Sequence, residues 1–413
     1  MERALIVGNG YAGLAAARTL ARENGFSVTV VSAERHPASC LHLLPEVAAG
    51  RKEPRDLYLA SPGEYEELGV VFRAGARADR VLAGERKAIL STGEEVPFDK
   101  ALLATGARTS VPAIFAQPMA ECANVLSLRR PDAAVALRTL IAGGARHVVI
   151  AGAGRIGVLL AEALKDSAAT VTLIDIAPQI LATMLDPGVA ARLRPELDAR
   201  ANTRILTGSP VERVGVEGGR VREVGLSGGT RVPCDVLVVA TGVTANSEVL
   251  EGVPSSPDGV PVNGRMETAA PGIYAAGDVV AFQTISGRIE PGQLILNARM
   301  QGEVAARNMA GGNAVCPPSF TGNVVKVGPL TGARVGDIDG TDHADVPVGR
   351  SFLRLTLSGV AVVGLQFVGA AEDLRGLVPA VLKRFDCAEL SGWIGETGFG
   401  VAPLLAARGG AWA

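Results

Sequence analysis

Three glycines with the spacing G-x-G-x-x-G, Gly8, Gly10 and Gly13, stand near the start of a chain of 413 residues, and the same spacing returns at Gly152, Gly154 and Gly157. Glycines at these positions let the backbone approach a pyrophosphate closely, and unpaired N–H groups at the start of a following helix favour its negative charge. Tyr11 and Ala12 fill the variable positions of the first copy, Arg155 and Ile156 those of the second. The chemistry implied is dinucleotide binding, twice.

Such a turn works only between a strand and a helix. "ALIV" supplies a short buried strand before Gly8, an Ala/Leu-rich helical pattern runs on to about Ala21, and "VTVV", Val28 to Val31, supplies the second strand of a βαβ unit. The second copy has "HVVIA", a helix, then "VTLID" ending at Asp175, eighteen positions after Gly157. A carboxylate there accepts hydrogen bonds from an adenosine ribose and repels a 2′-phosphate, which favours NADH over NADPH. In the first copy that position falls near Ser32, and the nearest acid, Glu34, is either the ribose ligand or a solvated loop carboxylate. A further repeat follows each fingerprint. "FDKALLATGA" carries Ala104, Thr105 and Gly106, and "CDVLVVATGV" carries Gly242 at the matching place. Two dinucleotide-binding modules are therefore joined in one chain.

Composition fits a chain with large cores: 48% of residues are hydrophobic and 20% charged. The 51 glycines, about 12% of the chain against an average near 7%, point to many tight turns. A net charge of -2 argues against nucleic acid as a partner. Cys40, Cys122, Cys234, Cys316 and Cys387 lie far apart with neither a CxxC pair nor zinc-like spacing, so reduced thiols and no metal site are expected. The N-terminus enters a strand with no charged leader, and no apolar run reaches about 18 residues. The expectation is a cytoplasmic protein with no membrane span.

A third element, "GIYAAGDVV" from Gly272 to Val280, completes a resemblance. The chain resembles the pyridine nucleotide-disulfide oxidoreductase family, flavoproteins with two dinucleotide-binding domains. "VTLIDIAPQILATMLDPGVAARLRPEL" is similar to the branch containing NADH oxidases, NADH peroxidases and coenzyme A-disulfide reductases. The resemblance implies an α/β fold with two Rossmann-like domains, for FAD and NAD, and a C-terminal α+β interface domain through which a homodimer forms. The implied FAD domain is discontinuous, residues 1–112 and 244–315; the NAD domain is 113–243 and the interface domain 316–413. Gly277 and Asp278 would hold the ribityl chain, and a helix starting near Leu294 would face the flavin pyrimidine ring, where the reduced flavin is negative. Val81 joins the implied cofactor contacts. The implied activity passes electrons from NADH through FAD to oxygen, quinone, a carrier protein, or a disulfide or peroxide through Cys40. The competing reading is an FAD- and NADH-binding electron-transfer subunit, or a redox-responsive binding protein with slow turnover.

The chain also departs from the family's pattern. Relatives that reduce disulfides or peroxides carry a redox cysteine before an L-P-x-x-x-x-G-like turn, and "HPASCLHLLPEVAAG" places His42 at that spacing, with Cys40 two residues earlier. Either Cys40 is the catalytic thiol or it packs as a small apolar residue; His42 is then a proton donor or a loop histidine. Arg155 and Leu159 stand where relatives carry an aromatic residue and a Glu, which motivates the slow-turnover reading. Arg155 would bind a phosphate or an anionic acceptor, or lie at a solvated edge. Glu162 reads as structural. The strands "NVVKVG", "SFLRLTL" and "VAVVGLQFVG", a helix over 372–385 and the tail 397–413 complete the C-terminal part.

Overall fold

Two apolar strand-turn-helix segments each nucleate a parallel sheet, as the glycine repeats predict. The computed structural model describes residues 1–391 except 285–286, 292–293, 320, 349, 375–376, 378–380, 382–383, 385 and 389. The chain divides into two units: Met1–Cys40, Arg55–Arg108 and Val243–Phe320 form the first, and Leu41–Pro54, Thr109–Gly242 and Thr321–Ala413 the second.

In the first unit the five-stranded parallel sheet has the order Ile273–Ala275, Lys100–Leu103, Glu2–Val7, Phe26–Ser32, Val71–Ala74. Ala4 pairs with both Val28 and Lys100, so the strand that leads into the first glycine turn is central. Ala4 to Val7 are all buried, as expected for a strand covered on both faces. The helix Tyr11–Leu20 buries Ala12, Ala15, Ala16 and Ala17, and these small residues let the helix Ile295–Met309 lie close against it. Gly302 makes that approach possible, since a Cβ there would collide with the Ala12 carbonyl. Two smaller sheets also belong to the unit: Leu250–Glu251, Ala78–Leu82, Lys87–Leu90, Glu95–Pro97, and Val260–Pro261, Val280–Gln283, Ile289–Pro291.

The second unit repeats the plan, with the order Thr203–Leu206, Thr170–Ile174, His147–Ala151, Val236–Val239, Val125–Leu126. His147–Ala151 is again the central strand that enters the glycine turn. The C-terminal residues form a five-stranded antiparallel sheet in the order Gly322–Val327, Leu330–Gly336, Ala361–Gly369, Ser351–Ser358, His343–Val348. The helix expected over 372–385 begins as Ala371–Leu374; part of its remainder and the whole tail 397–413 lie outside the described residues. Among the described residues no helix is long and apolar enough to cross a membrane.

The grouping differs from the sequence-based boundaries in two places. Leu41–Pro54 belongs with the second unit, because the helix Leu44–Ala48 packs on the helices Pro131–Ala142 and Arg155–Ala163. Arg51 Nη1 donates to Ala163 O at 2.7 Å, and Arg138 pairs with Glu53 at 2.9 Å. The C-terminal sheet also groups with residues 109–242 and forms no third unit. Glu162 explains part of this. Its carboxylate, largely buried, accepts from the Gly328 N–H at 3.0 Å and pairs with Lys165 at 3.1 Å and with Arg200. Burial by itself would raise the Glu162 pKa, but the Gly328, Lys165 and Arg200 partners outweigh it and hold the carboxyl below its ordinary value. A carboxylate with a depressed folded pKa stabilises the fold above the unfolded pKa, and that stability is lost as pH falls through the folded pKa. We therefore expect Glu162→Gln to cost about 1–3 kcal/mol at pH 7 and much less at pH 3. Urea melts at the two pH values test this; an equal loss at both would refute the assignment.

Candidate functional site

In the first unit, each glycine of the fingerprint has a separate task. A Cβ on Gly8 would collide with the Ala104 carbonyl, and one on Gly13 with the Gly8 carbonyl, so both are required for close backbone packing. Gly8 also has φ +107°, which an L side chain rarely adopts. Gly10 faces open space within 4 Å and caps the helix Tyr11–Leu20 with no side-chain hydrogen bond. The N–H groups of that helix start are therefore presented to the open side of the turn.

Polar residues hold this turn from behind. Tyr65 OH donates to Asn9 Oδ1 at 2.8 Å and accepts from the Ala38 N–H at 3.4 Å. Asn9 is 6% exposed, and its Nδ2 has no partner among the described residues. The Tyr11 hydroxyl hydrogen-bonds Cys40, and burial followed by this bond pushes the tyrosine pKa up. Cys40 is buried, and its N–H donates to Leu57 O at 2.8 Å. Asn246 clamps the first A-T-G: its N–H donates to Gly106 O at 2.9 Å, its Nδ2 to Thr105 O at 2.9 Å, and its carbonyl accepts from Thr105 Oγ1 at 2.8 Å. Gln301 Oε1 accepts from the Gly277 N–H at 2.9 Å, fixing the peptide before half-buried Asp278. Leu294 caps the helix Ile295–Met309 without a side-chain bond. Val81 is buried in the strand Ala78–Leu82, and its N–H donates to Val249 O at 2.6 Å. Glu34 follows the strand Phe26–Ser32, two residues beyond Ser32, with its N–H on Ser32 Oγ at 3.1 Å and a carboxylate oxygen 3.7 Å from His36.

The second unit reproduces the arrangement. A Cβ on Gly152 would collide with the Ala240 carbonyl, and one on Gly157 with the Gly152 carbonyl, while Gly154 faces open space. Gly154 caps the helix Arg155–Ala163, which carries Ile156, again with no side-chain bond. Gly242 O accepts from the Ser110 N–H at 2.9 Å. Asp175 reaches the turn itself: Oδ2 accepts from the Ala153 N–H at 2.5 Å and Oδ1 from the Ala177 N–H at 2.8 Å. His42 and Arg155 lie near one another in this unit. Partial burial, then the positive charge of Arg155, lowers the His42 pKa, so the ring is neutral at pH 7.

Sequence reasoning missed Asn9, Tyr65, Asn246 and Gln301. The one signal for Asn9 is its place between Gly8 and Gly10 in the fingerprint, and for Gln301 its place in the helix Ile295–Met309; Tyr65 and Asn246 reach the site only through the tertiary fold.

The family model described as pyridine nucleotide-disulphide oxidoreductase matches residues 2–302. The chain belongs to that family. It is 28% identical to the NADH-dependent phenylglyoxylate dehydrogenase subunit epsilon of Aromatoleum evansii over 94% of this chain and 93% of that one. It is 30% identical to the biphenyl dioxygenase system ferredoxin–NAD(+) reductase component of Paraburkholderia xenovorans, over 74% of each. Among solved structures, a NAD-dependent persulfide reductase from A. fulgidus superposes with a TM-score of 0.86 at 26% identity, covering 94% of this chain and 78% of that one. The protein is a flavin oxidoreductase that depends on FAD and NAD(H) and passes electrons from NADH to an acceptor.

The residues present fit both groups. Each cradle leaves open at Gly10 or Gly154 the space that a Cβ would fill, above uncapped helix N–H groups. Asn9 Nδ2, buried and unpaired among the described residues, adds a donor beside the first. Substitutions separate the two kinds of glycine. We expect Gly154→Ala to fold normally, because its φ of -72° suits alanine, yet to bind NAD+ about tenfold more weakly, the order of one lost hydrogen bond to the pyrophosphate. Gly157→Ala, driven into the Gly152 carbonyl, should lose about 3 kcal/mol of stability or more. Calorimetric titration and thermal melts of the two variants check this; equal NAD+ affinity in Gly154→Ala would refute it.

Proposed function

We propose that the second glycine turn takes NADH in preference to NADPH, that the first takes FAD, and that a sulfur species is among the acceptors. The observation that carries the cofactor reading is the repeated cradle, in which the same backbone collision explains the same glycine in both copies. Bound flavin supplies a two-electron store between the hydride donor and the acceptor. The chain's own residues do the rest: the uncapped helix starts bind the pyrophosphates, Gln301 orients the peptide that presents Asp278, and Asn246 holds the Thr105–Gly106 loop. Asp175 stands where a 2′-phosphate would meet a carboxylate.

The contact between Tyr11 and Cys40 supports the sulfur acceptor. Cys40 is the one cysteine that both lies in the segment expected to carry the redox thiol and has a phenol on it. Cys40 Sγ would attack one sulfur of a disulfide or persulfide, forming a mixed disulfide and releasing a thiolate from a disulfide or hydrosulfide from a persulfide, while Tyr11 holds a proton at the leaving or attacking sulfur. No disulfide joins the five cysteines, which suits a reducing cytoplasm. The C-terminal sheet is then the interface of a homodimer, residues 1–112 with 244–315 the FAD domain, and 113–243 the NAD domain.

Arg155 and Leu159 favour a second reading, an electron-transfer subunit with slow flavin reduction, and the relative that is a dehydrogenase subunit supports it. Anaerobic mixing with NADH decides between them. Rapid bleaching of the flavin supports the enzyme, and slow bleaching with tight NADH binding supports the subunit. Cys40→Ser should leave reduction by NADH intact and abolish turnover with disulfide or persulfide; unchanged turnover would eliminate the sulfur route. Asp175→Ala should narrow the preference for NADH over NADPH about tenfold, which paired Kd measurements test.

A further inference from the structure

The peptide of Ala153, at the centre of the second glycine turn, is held on both sides. Its N–H donates to Asp175, and its carbonyl accepts from the Leu181 N–H at 2.8 Å. Leu181 is fully buried with φ +55°, a conformation that is strained for a bulky residue and persists only where the surroundings impose it.

The segment that follows meets the C-terminal sheet within five residues. Arg334 Nη1 donates to Thr183 O at 3.1 Å. At Asp186 the connection is reciprocal: the Asp186 N–H donates to Gln366 Oε1 at 2.6 Å, and Gln366 Nε2 donates back to Asp186 Oδ2 at 2.7 Å. Arg354 Nη1 adds a second bond to that carboxylate oxygen at 3.2 Å, and Arg354 is itself oriented by Asp345 through bonds of 2.7 and 2.8 Å. Gln366 is 0% exposed, so no water replaces it if it is lost. Gln179 Nε2 closes the strap on itself by donating to Leu185 O at 2.7 Å. The strap from Gln179 to Asp186 is thus fastened at one end to the nucleotide turn and at the other to the central strands of the sheet.

We propose that Gln366 and Arg354 are positioning residues for the Gly152–Gly154 turn, acting through Asp186 and Leu181 on the peptide that must meet the dinucleotide. The inference rests on the reading that this turn binds NAD(H). It gives the C-terminal sheet a task in coenzyme binding in addition to any part in assembly. Loss of Gln366 frees the strap, lets Leu181 leave its left-handed conformation and releases the Ala153 carbonyl, so the turn loses its preorganised shape.

The test uses FAD-loaded protein and two probes, NAD+ by calorimetry and NADH by anaerobic rapid mixing. Gln366→Met keeps the side-chain volume and removes both hydrogen bonds. We expect NAD+ to bind about fivefold to tenfold more weakly, the effect of roughly one hydrogen bond. The NADH concentration for half-maximal flavin reduction should rise by the same factor, with the limiting rate and FAD content unchanged. Arg354→Lys, which keeps the charge at Asp186, should retain most of the affinity. Hydrogen exchange at the Leu181 amide should accelerate in Gln366→Met. Equal NAD+ affinity, or equal exchange at Leu181, overturns the proposal. Should Gln366→Met fail to fold, Arg354→Met is measured in the same two ways, and unchanged affinity or unchanged exchange in it overturns the proposal equally. Unaltered protein that gives no heat with NAD+ and no reduction by NADH overturns the coenzyme reading and the inference with it, a result distinct from unaltered affinity in the variant.

Discussion

Close contact between two pieces of backbone is the constraint on which each half of this protein depends. At Gly8 and again at Gly152, the glycine turn lies directly against an alanine carbonyl, that of Ala104 or Ala240, and any side chain would separate them. The strand after which that alanine stands is the neighbour of the strand entering the turn, as the pairs Val7 with Leu103 and Ala151 with Val239 show. The A-T-G sequence and the G-x-G-x-x-G sequence are therefore two sides of one contact. Their joint repetition reflects a single packing solution used twice.

Around this contact the protein places buried and half-buried polar side chains where an apolar core would leave the turns loose. Tyr65, Asn246 and Gln301 in one unit, and Asp175 in the other, each bond backbone N–H or carbonyl groups at or beside a turn, and the Tyr65 hydroxyl holds Asn9. A buried amide that loses such a partner pays the full desolvation cost, so these side chains define the turn shape sharply. The helix starts are left without side-chain caps in both cradles, which reserves their N–H groups for a negatively charged ligand.

Asp175 illustrates how far a functional position can be understood from local pattern. Its place at the end of the strand Thr170–Ile174 follows from spacing. That the same carboxylate also grips the Ala153 and Ala177 N–H groups follows only from the folded turn. Cys40 is similar: its segment was legible, its phenolic neighbour Tyr11 was not, because twenty-nine positions separate the two in sequence and no periodicity links them.

By itself the sequence determined the strands, the helices and the two glycine turns of the βαβ units, because apolar periodicity and glycine spacing are local and each βαβ unit is nearly self-contained. It also marked the antiparallel strands of the C-terminal sheet by their alternation. Only the tertiary structure decided that Leu41–Pro54 and the C-terminal sheet group with residues 109–242, through Arg51, Glu162, Asp186 and Gln366. Those partners lie 112 to 180 residues apart. Hydrogen bonds between buried polar groups so distant leave no period in the chain, and their energies exist only once the hydrophobic layers have brought the groups together.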